Sequence, residues 1–245
     1  MTRHVSAAAR AGATAFLVTC EHGGNRVPRR YAAYFRAHRD LLESHRGYDA
    51  GALVMARTLA RALRAPLIAS TVSRLVIELN RSPGHRQVFS SIMKEVPEHL
   101  RLEARVRYYV PYRDKVETVL RKLLRRHARV VHISSHSFTP VLNGIARTAD
   151  VGLLYDPRRM PERELCARWQ REMRALSPEW RVRRNYPYRG SDDGLTRHLR
   201  RLFPARRYSG VELEVNSAIV RSGEDAWREA RSTVVEALRM ATGRS

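Results

Sequence analysis

His22, His136, Glu212 and Glu214 each lie in or beside a short apolar run, where imidazoles and carboxylates can gather around a metal or a shared proton. His22 belongs to Glu21-His22-Gly23-Gly24-Asn25, whose paired glycines permit a sharp turn and close backbone approach to a ligand. His132 and His136 bracket the end of a second run, and alternation puts 132, 134 and 136 on one face of an extended chain. Glu212 and Glu214, spaced by two in a third run, also share a face. Two carboxylates in a buried strand push one pKa up, which suits a general base; on a solvated edge strand they would have no such role. Asp49 sits where a helix N-cap would, so capping competes with metal ligation at that position. Asn80-Arg81 follows another apolar run and offers a forked guanidinium for a carboxylate, or else a surface ion pair. Cys20 or Ser137 as a nucleophile is the competing chemistry. Cys20 has no activating neighbour beyond His22, and no nucleophile-elbow motif is present. Histidines, carboxylates and an arginine at successive strand ends make the inventory of a hydrolytic zinc site: three protein ligands, an open position, a carboxylate base and a charge clamp.

The elements that must position these residues alternate along the chain. Apolar, β-branched runs at 16–20, 67–71, 74–79, 130–134, 151–155 and 208–215 predict buried strands. Helical spacing joins Leu53, Ala56, Leu59, Ala60 and Leu63, and again Val116, Val119, Leu120, Leu123 and Leu124. It recurs through Leu165, Trp169, Met173 and Leu176, with Pro161 near the start, and through Trp227, Ala230, Val234, Leu238 and Ala241. Strands alternating with helices predict an α/β fold, a three-layer α/β/α sandwich with a mixed sheet, which binds ligands at the carboxyl ends of its strands. A single catalytic domain is expected over 15–245, after a flexible segment at 1–14. Residues 185–194 read as a functional loop.

Composition bounds the function. The 245 residues are 43% hydrophobic, enough for a core, which excludes wholesale disorder. The net charge is +22, and Lys occurs only at 94, 115 and 122, so arginine supplies nearly all of it. Those arginines are scattered, with no zinc-finger spacing and no aromatic RNA-binding signature, so no specific nucleic-acid partner is expected. A basic nucleic-acid-binding protein without catalysis is the non-enzymatic rival. No apolar run approaches the roughly 18 residues of a membrane span. Two cysteines make no disulfide framework, and the expected location is the cytoplasm. Oligomeric state is not legible.

Six stretches carry a resemblance to a known family: Glu-His-Gly-Gly-Asn at 21–25, Tyr-Asp-Ala-Gly-Ala at 48–52, Ser-Arg-Leu-Val-Ile-Glu-Leu-Asn-Arg at 73–81, Ser-His-Ser-Phe at 135–138, Asn-Tyr-Pro-Tyr-Arg-Gly at 185–190 and Glu-Val-Asn at 214–216. In this order they resemble the N-formylglutamate amidohydrolase family, itself distantly similar to zinc carboxypeptidases and aspartoacylases. The resemblance implies a phosphorylase/hydrolase-like sandwich. It also implies a metal-dependent amidohydrolase with one zinc (Zn2+) per chain, cleaving an N-formyl or N-acyl amino acid such as N-formylglutamate with metal-activated water. The partner would be a small anionic acyl amino acid or peptide. Related zinc hydrolases hold their metal with His-x-x-Glu and a later His; His22 and His136 match the histidines, but Asn25 stands at the Glu position. Asp49 is the favoured third ligand and Glu21 the fallback. Glu214 is the expected base, with Glu212 as the alternative. Arg81, oriented by Asn80, and Arg74 would grip the substrate carboxylate, and Tyr188 and Arg189 would close over it. A zinc peptidase or peptidoglycan amidase of the same fold is the second enzymatic reading.

Overall fold

Alternation along the first strand, β1 (Thr14–Cys20), sends Phe16, Val18 and Cys20 into one hydrophobic core and Ala15 and Leu17 into another. A strand buried on both faces belongs in the middle of a layered fold. The structure, a computed structural model, describes residues 14–244. The expected flexible segment at 1–14 therefore lies outside the described residues, except for Thr14, which opens β1.

The remaining strands are β2 (Leu67–Ala69), β3 (Arg129–Phe138), β4 (Val141–Leu142), β5 (Ile145–Ala146), β6 (Val151–Leu154), β7 (Val182–Arg184) and β8 (Tyr208–Asn216). Six of them form one sheet in the order β2-β1-β3-β8-β6-β7, while β4 and β5 make a separate hairpin. Pairing is parallel from β2 through β8, then antiparallel between β8 and β6, so the sheet is mixed as expected. Helices Ala52–Leu63, Met160–Leu176 and Glu224–Thr242 cover one face. Val110–Leu124 and Leu195–Leu202 cover the other, with Tyr31, Phe35, Ile92 and Met93 from shorter pieces. The Ala52–Leu63 helix shows the logic: Ala52, Met55, Ala56, Leu59, Ala60 and Leu63 form its buried stripe. It stops at Arg64, whose left-handed φ of 50° lets its N–H reach the Ala60 and Arg61 carbonyls.

One expected strand is absent. Residues 74–79 form a buried irregular segment, in which the Val76 N–H bonds the Ser73 carbonyl at 2.9 Å and Glu78 N–H bonds the Val88 carbonyl at 2.9 Å. Val76, Ile77 and Leu79 still enter the core, which is why the apolar run imitated a strand. The helices at Val110–Leu124 and Leu195–Leu202 and the short pieces at 29–43 and 91–104 share a core with this segment, and only the first carried a legible stripe.

The loop at 185–190 is pinned to the sheet. Asn185, at φ 51°, accepts hydrogen bonds on Oδ1 from the Tyr155 and Gly190 N–H groups, both at 3.0 Å. Gly152 lets it pass: a Cβ there would stand 2.0 Å from the Tyr186 carbonyl oxygen.

Candidate metal centre

The sheet face that carries Leu17 and Val130 turns polar towards its carboxyl end. Thr19 of β1, His132 of β3 and Tyr208 of β8 form a buried chain, Thr19 Oγ1 to His132 Nε2 at 2.8 Å and His132 Nδ1 to Tyr208 hydroxyl at 2.8 Å. Burial pushes the His132 pKa down to about 4, so this imidazole stays neutral and serves the frame. Further along each segment, the same face presents Glu21, His136, Glu212 and Glu214. Register sets His136 directly beside Glu214, and Ser134 beside Glu212.

His22, Asp49 and His136 converge here, each offering a ligand atom within 4.8 Å of the other two. Asp49 Oδ2 lies 3.2 Å from His22 Nδ1 and 2.8 Å from His136 Nδ1. Asp49 does not cap the following helix with its side chain; Gly51, at φ 76°, holds the N-cap position. The Asp49 backbone N–H bonds the His22 carbonyl at 3.0 Å, which fixes the two segments together.

A second layer of carboxylates stands behind the imidazoles. His136 Nε2 is 3.1 Å from Glu21 Oε2 and 2.9 Å from the Ser134 hydroxyl. Glu21 also accepts from Ser134 and from the Tyr112 hydroxyl, both at 2.6 Å. His22 Nε2 meets Glu78 Oε1. Glu78 Oε2 accepts from Arg74 Nε at 2.9 Å, and Arg74 Nη1 reaches Asp49 Oδ1 at 3.2 Å. Glu21 thus lies behind His136, outside the converging triad. Arg74 is braced between two carboxylates, which fixes its guanidinium at the edge of the site. Burial opposes charge on both imidazoles, yet the surrounding carboxylates win and hold both pKa values above the ordinary histidine value.

Glu214 is different. Only 5% exposed, it has one oxygen, Oε2, with no hydrogen-bond partner among the described residues. Burial, with Asp49 and Glu212 nearby, pushes its pKa up to about 8 despite the opposing pull of His136. Glu212 is spoken for by the Thr196 hydroxyl at 2.5 Å. Both glutamates line a cavity of about 160 Å³ together with the triad, Arg81, Tyr188 and Arg189. Arg81 is not oriented by its neighbour's side chain: Arg81 Nη1 donates to the Asp193 carbonyl, while Asn80 Oδ1 accepts the Leu195 N–H at 2.8 Å. Tyr188 accepts from Arg147 Nη2 at 3.0 Å and stays 43% exposed on the cavity rim.

The donor set fits a divalent cation. Two imidazoles and a carboxylate converge, further carboxylates support them, and Glu214, with one oxygen lacking a partner among the described residues, lines the same cavity. Cys20 and Ser137 make no competing nucleophilic pair. Cys20 is buried and its thiol pKa is raised by that burial, the opposite of activation. Glu78, Tyr112, Ser134 and Asp193 carry site contacts that sequence reasoning missed. Glu78 had one signal, its i,i+4 spacing from Arg74, and Ser134 had its alternation with His136; Tyr112 and Asp193 had none.

Comparisons agree with this architecture. The sequence profile described as N-formylglutamate amidohydrolase matches residues 14–220. No curated protein matches the chain. Among solved structures, a gene product of Agrobacterium tumefaciens is similar at 28% identity, with a TM-score of 0.78 over 97% of this chain and 93% of that one. An N-formylglutamate amidohydrolase from Ralstonia eutropha JMP134 shares the fold at 19% identity, with a TM-score of 0.64 over 95% of this chain and 94% of that one. With the profile spanning all the residues of the triad, the chain belongs to the N-formylglutamate amidohydrolase family and is an amide hydrolase.

Proposed function

We propose that the protein hydrolyses the amide bond of an N-formyl or N-acyl amino acid bearing a carboxylate, N-formylglutamate first among them, with one zinc ion held by His22, Asp49 and His136. The observation that carries this reading is the convergence of those three donors in one small cavity also lined by Glu214, whose Oε2 has no partner among the described residues. A divalent metal bound there would supply a Lewis acid for the amide carbonyl and acidify water. Glu214 takes the proton from the attacking water and delivers it to the leaving amine, a role open to it because its Oε2 has no other partner among the described residues. Arg81, steadied by the Asp193 carbonyl, and Arg189 bind the substrate carboxylate. Tyr188 sits at the rim, where it limits access and orients the substrate.

No helix of the described residues is long and apolar enough to cross a membrane. The free, buried state of Cys20 and Cys166 suits a reducing compartment, and we place the reaction in the cytoplasm. The decisive experiment loads the purified protein with zinc and follows formate release from N-formylglutamate. About one zinc per chain with turnover supports the reading. A loaded protein that releases no formate or amine from any N-acyl amino acid overturns it.

A further inference from the structure

A second and larger cavity, about 450 Å³, adjoins the first, and Arg74, Arg81 and Tyr188 line both. Ligand pockets commonly hold about 300–1,000 Å³. The inner cavity alone, at about 160 Å³, falls below that range, while the annex falls within it. The walls of the annex are unbalanced in charge. Arg46, Arg86 and Lys94 are exposed within it and form no ion pair among the described residues. Its one carboxylate, Glu78, is buried and already engaged by Arg74 and His22. A concave site of one sign concentrates counter-charged ligands far better than the same charges on a convex surface. Gln87 and Ser91 add neutral hydrogen-bonding groups suited to a peptide unit, and Leu75 and Phe89 add apolar surface suited to methylene groups.

We infer that the site also takes a substrate longer than a single acyl amino acid: an N-acylated short acidic peptide whose scissile amide lies at the His22–Asp49–His136 centre and whose second anionic residue lies in the annex between Arg86 and Lys94. This rests on the hydrolase reading for the position of the amide, and on the annex alone for the second anion.

The test compares N-formyl-Glu-Glu with the neutral analogue N-formyl-Glu-Gln on the zinc-loaded enzyme. Binding of the deformylated peptides Glu-Glu and Glu-Gln is measured in parallel by calorimetry. The acidic peptide should exceed the neutral one about tenfold in kcat/KM and in affinity at low salt. The ratio should fall close to one in the Arg86→Ala/Lys94→Ala double variant, whose positions are exposed and carry no core packing. Arg125→Ala/Arg126→Ala, an exposed pair on the end of the Val110–Leu124 helix, removes equal charge elsewhere and should keep the ratio. Equal handling of the two peptides by the wild type, or a preference that survives in the annex variant, overturns the inference. Selective binding of Glu-Glu without any formate release sustains the annex and overturns the hydrolase reading instead.

Discussion

His22 and His136 turn the same ring nitrogen, Nδ1, towards one oxygen of Asp49, and each backs its Nε2 onto a buried carboxylate, Glu78 for the first and Glu21 for the second. The two halves of the centre are built alike from unrelated stretches of chain. An imidazole held by a carboxylate on one side is fixed in tautomer and ring orientation on the other, and is a stronger donor for it.

That arrangement makes Glu21→Gln informative. The change keeps the shape and removes the charge behind His136, so metal affinity should fall about 10–100-fold while the fold persists. Competition with a chromogenic chelator measures it. Unchanged affinity would assign Glu21 to the frame alone.

Glu214→Gln separates binding from chemistry. Glu214 is not among the three converging donors, so the variant should keep its metal, and loss of the proton carrier should lower kcat about 10²–10⁴-fold. Metal analysis and turnover on the same preparation distinguish this from loss of the centre.

Arg81→Ala removes a binding contact to a charged group. Such hydrogen bonds contribute about 1.5–3 kcal/mol, so kcat/KM for a carboxylate substrate should drop about 10–100-fold, with most of the change in KM. A substrate amide lacking the carboxylate should lose little. A variant in which kcat alone falls would move Arg81 from binding into the chemical step.

The pKa of Glu214 predicts a pH dependence in the metal-free protein. Burial raises it from 4.5 to about 8, so between those values the native state holds a proton that the unfolded chain has released. Stability from this group is present at low pH and is lost as pH rises across that window. Wild type measured against Glu214→Gln should therefore lose relative stability from about pH 5 to pH 8, read as urea midpoints.

Gly152→Ala tests the loop. The new Cβ would press on the Tyr186 carbonyl, and such overpacking costs about 1–3 kcal/mol. Because the loop carries Tyr188 and Arg189 to the cavity, KM should rise along with the fall in melting temperature.

Much of the site was legible because strands announce themselves by alternation. Glu212 and Glu214 share a face, as do Ser134 and His136, and the parallel register of β3 and β8 turns those sequence pairs into neighbours. The central position of β8 also disposes of a solvated edge as an explanation for its glutamates. The segment at 74–79 was misread because its apolar residues are buried without a ladder, and burial is all that an apolar run reports. Tyr112 was invisible for another reason. It reaches Glu21 across 91 positions of chain, and no local pattern encodes which helix will lie over which strand end. The charge of +22 resolves into parts as well: Arg74 is a strut between Asp49 and Glu78, Arg81 lines the cavity beside the triad, and Arg200 neutralises the fully buried Glu162 at 3.0 Å.

The parallel pairing of β1 with β3 carries a consequence for how the protein comes into being. Thr14 sits beside Arg129 in that pairing, so the donors at 22 and 136 meet only once more than a hundred residues between the strands have been gathered in. Closing so long a loop precedes any reward from the contacts it creates. A metal ion would therefore meet all three donors together only on the folded chain. Bound there, it would add stability that grows with the logarithm of its free concentration.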